Sequence, residues 1–392
     1  MKQNIFILGL MAICLTAGSC SKDDNNVVEP TSTMPEGTAD VTIVETDANY
    51  ADYKDKWCSY AAAVSSHLKS DAETLYKAWN EGLGGDEAYK ETFKNSGAGK
   101  AYSSPNSCIE QIVDGCIDIA NEVGESKIGD PRDKWENGKY TEAVYAVESW
   151  YSYHSIQDYA NNIRSIQNAI NCTYNDNTGT HSIAAYLRTH GQSELVNKVN
   201  SSIRTCIAAI EGMAAPFRSH IGNPSVLTAI DACNNLKNNL KTLKALIPDL
   251  DDNAGLQSIV ADYVDVVVLP TYKDLAEANA KLHEKVLALA ANPSNATFEA
   301  AAMAWMSARS PWEMSEAFLF GPVDELGLDP NMDSWPLDQD AIKNVLASGD
   351  FSGLDWSGDY DDENQAIADA QSIRGFHTLE FLLFKNGEPR KI

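Results

Sequence analysis

The chain has 392 residues, enough for more than one hydrophobic core. Apolar residues make up 44% and charged residues 22%, a globular balance, but Asp and Glu outnumber Lys and Arg by 56 to 30, for a formal net charge of −26. That surplus disfavours nucleic acid and anionic membrane surfaces as partners and favours cations, although an acidic soluble exterior has the same composition.

The first residues, "MKQNIFILGLMAICLTAGSC", carry Lys2, an apolar run too short to span a bilayer, and small residues Ala17-Gly18-Ser19 before Cys20. They resemble a bacterial lipoprotein signal over 1–19, with Cys20 as the lipidated first residue of the mature chain. The next residues, "SKDDNN", resemble the Lys-Asp-Asp export tag of Bacteroidota surface lipoproteins. The expected location is therefore the outer membrane, facing outward, with membrane contact through the lipid anchor alone. Residues 20–41 are polar, contain Pro30 and Pro35, and read as a flexible tether.

Beyond the tether the pattern is helix after helix. Residues 48–82 carry Trp57, Tyr60, Ala61, Val64, Leu68, Leu75 and Trp79 at three- and four-residue spacing, and Gly82, Gly84 and Gly85 stop the run. Ser104-Pro105 opens a second helix that reaches Val123. A third is predicted over 141–171, with Ile156, Tyr159, Ile163, Ile166 and Ile170 on its apolar face, and two more over 192–215 and 224–247. After Gly255 one long helix continues to Pro293, bent at Pro270 where the ring removes a hydrogen bond. The next contains Pro311 and ends at Gly321-Pro322. A loop, "VDELGLDPNMDSWPLD", with short helices at most, leads to a last helix over 363–385. Only "VDVVV" tempts a strand assignment, and the helical pattern continues on both sides of it. The prediction is an all-α protein of two helical bundles, 42–250 and 251–392. Past Cys20 six cysteines remain, with no CxxC pair and fifteen ways to pair fully.

The chemistry begins with "GFHTLEFLLF". His377 and Glu380 stand three residues apart on an almost wholly apolar helix, and buried charges need partners or a metal. In "ARSPWEMSEAFLF", Arg309, Glu313 and Glu316 share one stripe, as a solvated face or as those partners. In "ESWYSYHSIQDYANNIRSIQNAI", His154 and Asp158 lie one turn apart, beside Asn161, Asn162 and Ser165. That spacing suits holding a cation or orienting an imidazole; the alternative is a wet polar face. The aromatics Trp150, Tyr151, Tyr153 and Tyr159 are more typical of a domain interface. HExxH is absent, since "HEKVL" lacks the second histidine, and HxxE supplies two of the three ligands a catalytic zinc needs. No GxSxG, P-loop or dinucleotide-binding glycine pattern occurs.

"GFHTLEFLLF" matches the GxHxxE motif of imelysin-like proteins, and "ARSPWEMSEAFLFGPVDELGLDPNMDSWPLD" resembles the second long signature of that family. "DGCIDIANEVGESKIGDP" and "VESWYSYHSIQDYANNIRSIQNA" resemble its other half, so the similarity spreads over most of 48–392. The halves stand in the reverse of the family's usual order, so the chain resembles a circular permutant. Permutation predicts Tyr50 and Arg390 close together at the surface. His154 stands where a small polar residue is expected.

The resemblance implies two similar four-helix bundles packed face to face, a pocket between them and a link to bacterial iron uptake. Carried over position by position, it implies a ligand site of His377, Glu380, Arg309, Glu313, Glu316, Asp158, Asn162 and Arg164, with His154 beside them and His377 and Glu380 as metal ligands. The expected function is a lipid-anchored, non-enzymatic binding protein that works with an iron-uptake membrane partner. Its ligand would be iron or another divalent metal ion, an iron chelate or haem. One alternative is a metallopeptidase built on the HxxE pair, because imelysins were named as peptidases. The other is a structural surface protein in which His377 simply bonds Glu380.

Overall fold

The computed structural model describes residues 48–392, so the signal, Cys20 and the tether lie outside the described residues. Among the described residues no helix is long and apolar enough to cross a membrane. The fold is all-α. The helices that matter here are α1 (Tyr50–Asn80), α2 (Pro105–Glu122), α3 (Ser155–Asn171), α4 (Ser193–Glu211), α5 (Pro224–Lys244), α6 (Leu269–Ala291), α7 (Asn295–Glu313), the short α8 (Leu328–Asp333) and α9 (Gly375–Leu383). Side-chain caps fix several starts. The Ser104 and Ser107 hydroxyls cap α2 reciprocally, Ser294 and Thr297 do the same for α7, and Asn223 caps α5 ahead of Pro224.

The apolar face of α1 (Trp57, Tyr60, Val64, Leu68, Leu75, Trp79) is buried along α6, which in turn packs on α7. α9 completes this bundle. It is tied to α1 by the Trp57 indole donating to Leu382 O (2.9 Å) and to α7 by the Trp305 indole donating to Phe376 O (2.9 Å). α2, α3, α4 and α5 form the other bundle. The expected division at 250 follows chain order, whereas the packing follows apolar faces: α1, first in sequence, belongs with the helices of the second half.

The bundles meet where α3 lies against α7, and where a 3-10 turn at Glu316–Phe318 lies on α2. Gly115 permits that second contact, since a Cβ there would stand 2.1 Å from Ala317 O.

Three predicted helices are interrupted. The stretch 141–171 is a short helix, Tyr140–Ala146, then an irregular turn over 147–154, then α3. Trp150 and Tyr151 are both buried and stack at 4.0 Å, whereas neighbours on a helix point roughly 100° apart. The turn places both rings inward, with Ser149 and Tyr153 at positive φ. The helix after Gly255 carries a π-helical turn, Tyr263–Val268, just ahead of Pro270. The last helix breaks between Gln365–Gln371 and α9, because Gly375, at φ +89, sits where a Cβ would meet Met332 O at 2.5 Å. Two tight hairpins, Thr173–Tyr174 with Asn177–Thr178 and Phe384–Lys385 with Glu388–Pro389, were not expected.

The ends of the described chain meet. Lys385 Nζ donates to Asn49 Oδ1 (3.3 Å), and Tyr50 and Arg390 line one surface cavity of about 740 Å³. Arg390 itself is buried rather than exposed, with its guanidinium over Trp57 (4.8 Å) and its Nε donating to Phe381 O (2.8 Å). The six described cysteines are buried free thiols, Cys206 and Cys233 with their sulfurs 3.4 Å apart.

Candidate functional site

His377 projects from α9 and is fully buried. Its Nδ1 lies 3.1 Å from Glu380 Oε2. The other oxygen of Glu380 accepts from the backbone N–H (2.8 Å) and hydroxyl (2.7 Å) of Ser152, in the turn ahead of α3. Glu380 thus orients the ring and leaves Nε2 facing elsewhere. That nitrogen lies 3.1 Å from Asp333 Oδ1 and 3.4 Å from Glu148 Oε1. Trp335 packs edge-on against the imidazole, with ring centroids 4.9 Å apart.

Arg309 enters from α7, also fully buried. Nη2 reaches Glu313 Oε1 (2.5 Å) and Glu148 Oε1 (2.6 Å), and Nη1 donates to Asp333. Nε faces Asp158 Oδ2 at 3.5 Å. Asn162, from α3, donates to Glu313 Oε2. Lys127, carried in by a π-helical turn at Val123–Lys127, lies 3.2 Å from Glu148 Oε2 and 3.5 Å from Glu316 Oε1.

Six nearly buried carboxylates (Glu148, Asp158, Glu313, Glu316, Asp333, Glu380) therefore face two permanent cations and two imidazoles, those of His377 and, at the rim, His154. Unbalanced buried charge is costly, so protons or a bound cation must offset it. Burial pushes the Glu313 carboxyl well above the ordinary range despite Arg309, and does the same to Glu316 despite Lys127. Burial and the Asp333 charge push Asp329 up to about 7. For Asp333, Arg309 and His377 outweigh burial and hold the carboxyl low; Lys127 leads the same outcome for Glu148. Burial and Arg309 disfavour the His377 imidazolium, but Asp333 and Glu148 prevail and hold its pKa well above the usual value.

His377 Nε2, Glu148 and Asp333 place ligand atoms within 4.8 Å of one another, and so do Glu313, Glu316 and Asp333. An imidazole with carboxylates suits iron, manganese or zinc. Two further observations fit a cation. The far nitrogen of the imidazole is oriented by a carboxylate, the usual outer support of a metal-bound histidine. Asn162 Oδ1 and Asp158 Oδ2 are buried without a hydrogen-bond partner. A surface cleft of about 490 Å³, lined by Tyr145, Trp150, Trp335, Leu337 and Asp338, reaches inward to Trp335, the ring that packs on His377.

The structure thus brings His377, Glu380, Arg309, Glu313, Asp158 and Asn162 together, with Glu316 joined through Lys127. Glu380 is the orienting partner of His377 rather than its neighbour on the Nε2 side. His154 stands at the rim, its Nδ1 2.8 Å from Asp158 Oδ1. Burial lowers the His154 pKa, but Asp158 more than offsets this and raises it. Arg164 points away, pairing with Asn161 (3.0 Å) and Glu211. Sequence reasoning missed Glu148, Asp333, Lys127, Ser152 and Trp335. Glu148 carried a usable signal, a lone acid in the apolar and aromatic stretch "AVESWY".

An imelysin family model matches residues 37–243 and 268–391. The chain belongs to the imelysin family. A crystal structure described as an imelysin peptidase from Bacteroides ovatus superposes with a TM-score of 0.85 at 48% identity, covering 88% of this chain and 99% of that one. Iron-regulated protein A of Synechococcus elongatus is 34% identical over 131 residues. The match covers 33% of this chain and spans about a third, 32%, of that curated relative.

Proposed function

We propose that this imelysin is a non-enzymatic, lipid-anchored envelope protein of bacterial iron uptake that binds a metal cation, iron in particular, in the buried space between its bundles. The observation that carries the proposal is the convergence of His377 Nε2, Glu148 and Asp333 on one point, with Glu380 turning the ring toward it. Support for iron comes from the name of the Synechococcus relative. Support for an anchor comes from the "LTAGSC" segment ending at Cys20.

The full burial of His377 and Arg309 favours a bare ion over a chelate or haem, because a porphyrin needs an open face at its axial ligand. It also speaks against peptide cleavage, which requires an extended chain to reach the metal. Calorimetry with ferrous, ferric and zinc ions and with haemin, on wild type and His377→Ala at pH 7.5 and 5.5, tests the reading. The expected result is ion binding that weakens at pH 5.5, where protons compete for the ligands, and that falls at least tenfold in His377→Ala. Binding indifferent to both changes would refute it. So would cleavage of a peptide library by the metal-loaded protein.

A further inference from the structure

Each ligand residue of the proposed site is already in contact with one side chain. Arg309 Nη2 lies 2.6 Å from Glu148 Oε1 and 3.4 Å from His377 Nε2, and Nη1 donates to Asp333. The guanidinium is fully buried over the Phe376 ring (5.3 Å), so it is a part of the site rather than a surface charge. A guanidinium spreads one positive charge over a planar fork, whereas a divalent ion concentrates two in a compact sphere. Both cannot hold Glu148 and Asp333 at once, since the contacts coincide and the charges repel.

The geometry also offers Arg309 somewhere to go. Its Nε and Asp158 Oδ2 face each other at 3.5 Å, longer than an ordinary N–H···O bond, and each is buried without a hydrogen-bond partner. Glu313, one turn along the same helix, already touches Nη2, the nitrogen that also holds Glu148. A small swing toward Asp158 closes that gap and frees Glu148 and Asp333.

We propose that Arg309 is a built-in counter-ion. It occupies the carboxylates when no cation is bound, yields Glu148 and Asp333 by moving onto Asp158 and Glu313 when one enters, and so sets how tightly the cation is held. This rests on the cation-binding reading above.

The test is calorimetry with ferrous and zinc ions on wild type, Arg309→Gln, Asp158→Asn and His377→Ala, each checked for native helix content by circular dichroism. Arg309→Gln, which removes the competing charge and keeps a planar amide, is expected to bind at least tenfold more tightly than wild type. Asp158→Asn, which weakens the resting place of the displaced fork, is expected to bind several-fold more weakly. A folded Arg309→Gln that binds no tighter overturns the counter-ion role; if His377→Ala still loses binding, the cation site itself stands. No binding by wild type or Arg309→Gln removes both. A measurement on the wild type serves where Arg309→Gln does not fold. The guanidinium N–H signals of Arg309, read by nitrogen-15 NMR, must shift on saturation with zinc, and unchanged signals overturn the proposal.

Discussion

Arg309 and His377 meet at 3.4 Å, Nη2 to Nε2, although both are held in their cationic forms and both are fully buried. Glu148 and Asp333 hold them together by touching both. The imidazole is therefore expected to remain protonated well past the pH at which an exposed histidine titrates, about 6.5. Proton NMR titration of the cation-free protein checks this. In Asp333→Asn the His377 titration is expected to move down in pH, because the charge that favours the imidazolium is gone.

Stability should fall as pH rises above about 5. The raised carboxyls Glu313, Glu316 and Asp329 keep their protons in the folded state after the unfolded chain has lost them, and His377 does so above about 6.5. Their contribution is complete below the unfolded pKa and disappears as pH climbs through the folded one. Glu148 and Asp333, held low, act oppositely and only under stronger acid. His67 and His283, lowered mainly by burial, oppose the trend near pH 6, so the comparison should be made between variants. Asp329→Asn is expected to flatten the decline between about pH 4 and 7 in thermal melts. A slope identical to wild type would show that Asp329 does not hold its proton.

Glu380→Leu should be costly although leucine suits the surroundings. It leaves the Ser152 N–H and His377 Nδ1 without their acceptor, and the Ser152 hydroxyl with only the longer contact to Ser149 O (3.3 Å). Breaking such a buried, charge-assisted set costs roughly 3–5 kcal/mol. Denaturant unfolding that matches wild type would mean that Glu380 is dispensable to the network.

Gly115→Ala probes the joint between bundles without touching a charge. The added methyl group meets Ala317 O, which belongs to the turn that carries Glu316. Overpacking of this kind costs about 1–3 kcal/mol. The variant is also expected to bind cations more weakly, through displacement of Glu316 and Lys127. Unfolding and calorimetry on the same sample check both effects.

Much of the fold was legible because α1, α2, α4 and α5 carry clear apolar faces with caps or glycines at their ends. The breaks were not. The turn over 147–154 is imposed by burying two adjacent rings, Trp150 and Tyr151, a tertiary demand that overrides a helical pattern. The break before α9 depends on the close approach of Gly375 to Met332, which no local signal announces.

In the site, His377, Glu380, Arg309 and Glu313 stood out as charges inside apolar helices. Asp333 did not, because an aspartate in a polar loop looks solvated until the fold encloses it. Lys127 was hidden for another reason. It arrives through a π-helical turn, whose extra residue rotates the side chain off the face that a regular 3.6-residue period assigns to it.

The membership of α1 in a bundle completed by α6, α7 and α9 has a consequence for biosynthesis. During vectorial synthesis the helices α2 to α5 emerge as one contiguous block and can pack on each other early. α1 precedes that block in the chain, yet its partners α6, α7 and α9 all follow it. Its apolar face must wait unpaired until they emerge, a long-range closure of the kind that slows folding and invites holding by chaperones. The buried charge network, which needs α7, α8 and α9 together, is therefore assembled among the final steps, and a chain truncated before Gly375 would lack both its last helix and a completed site.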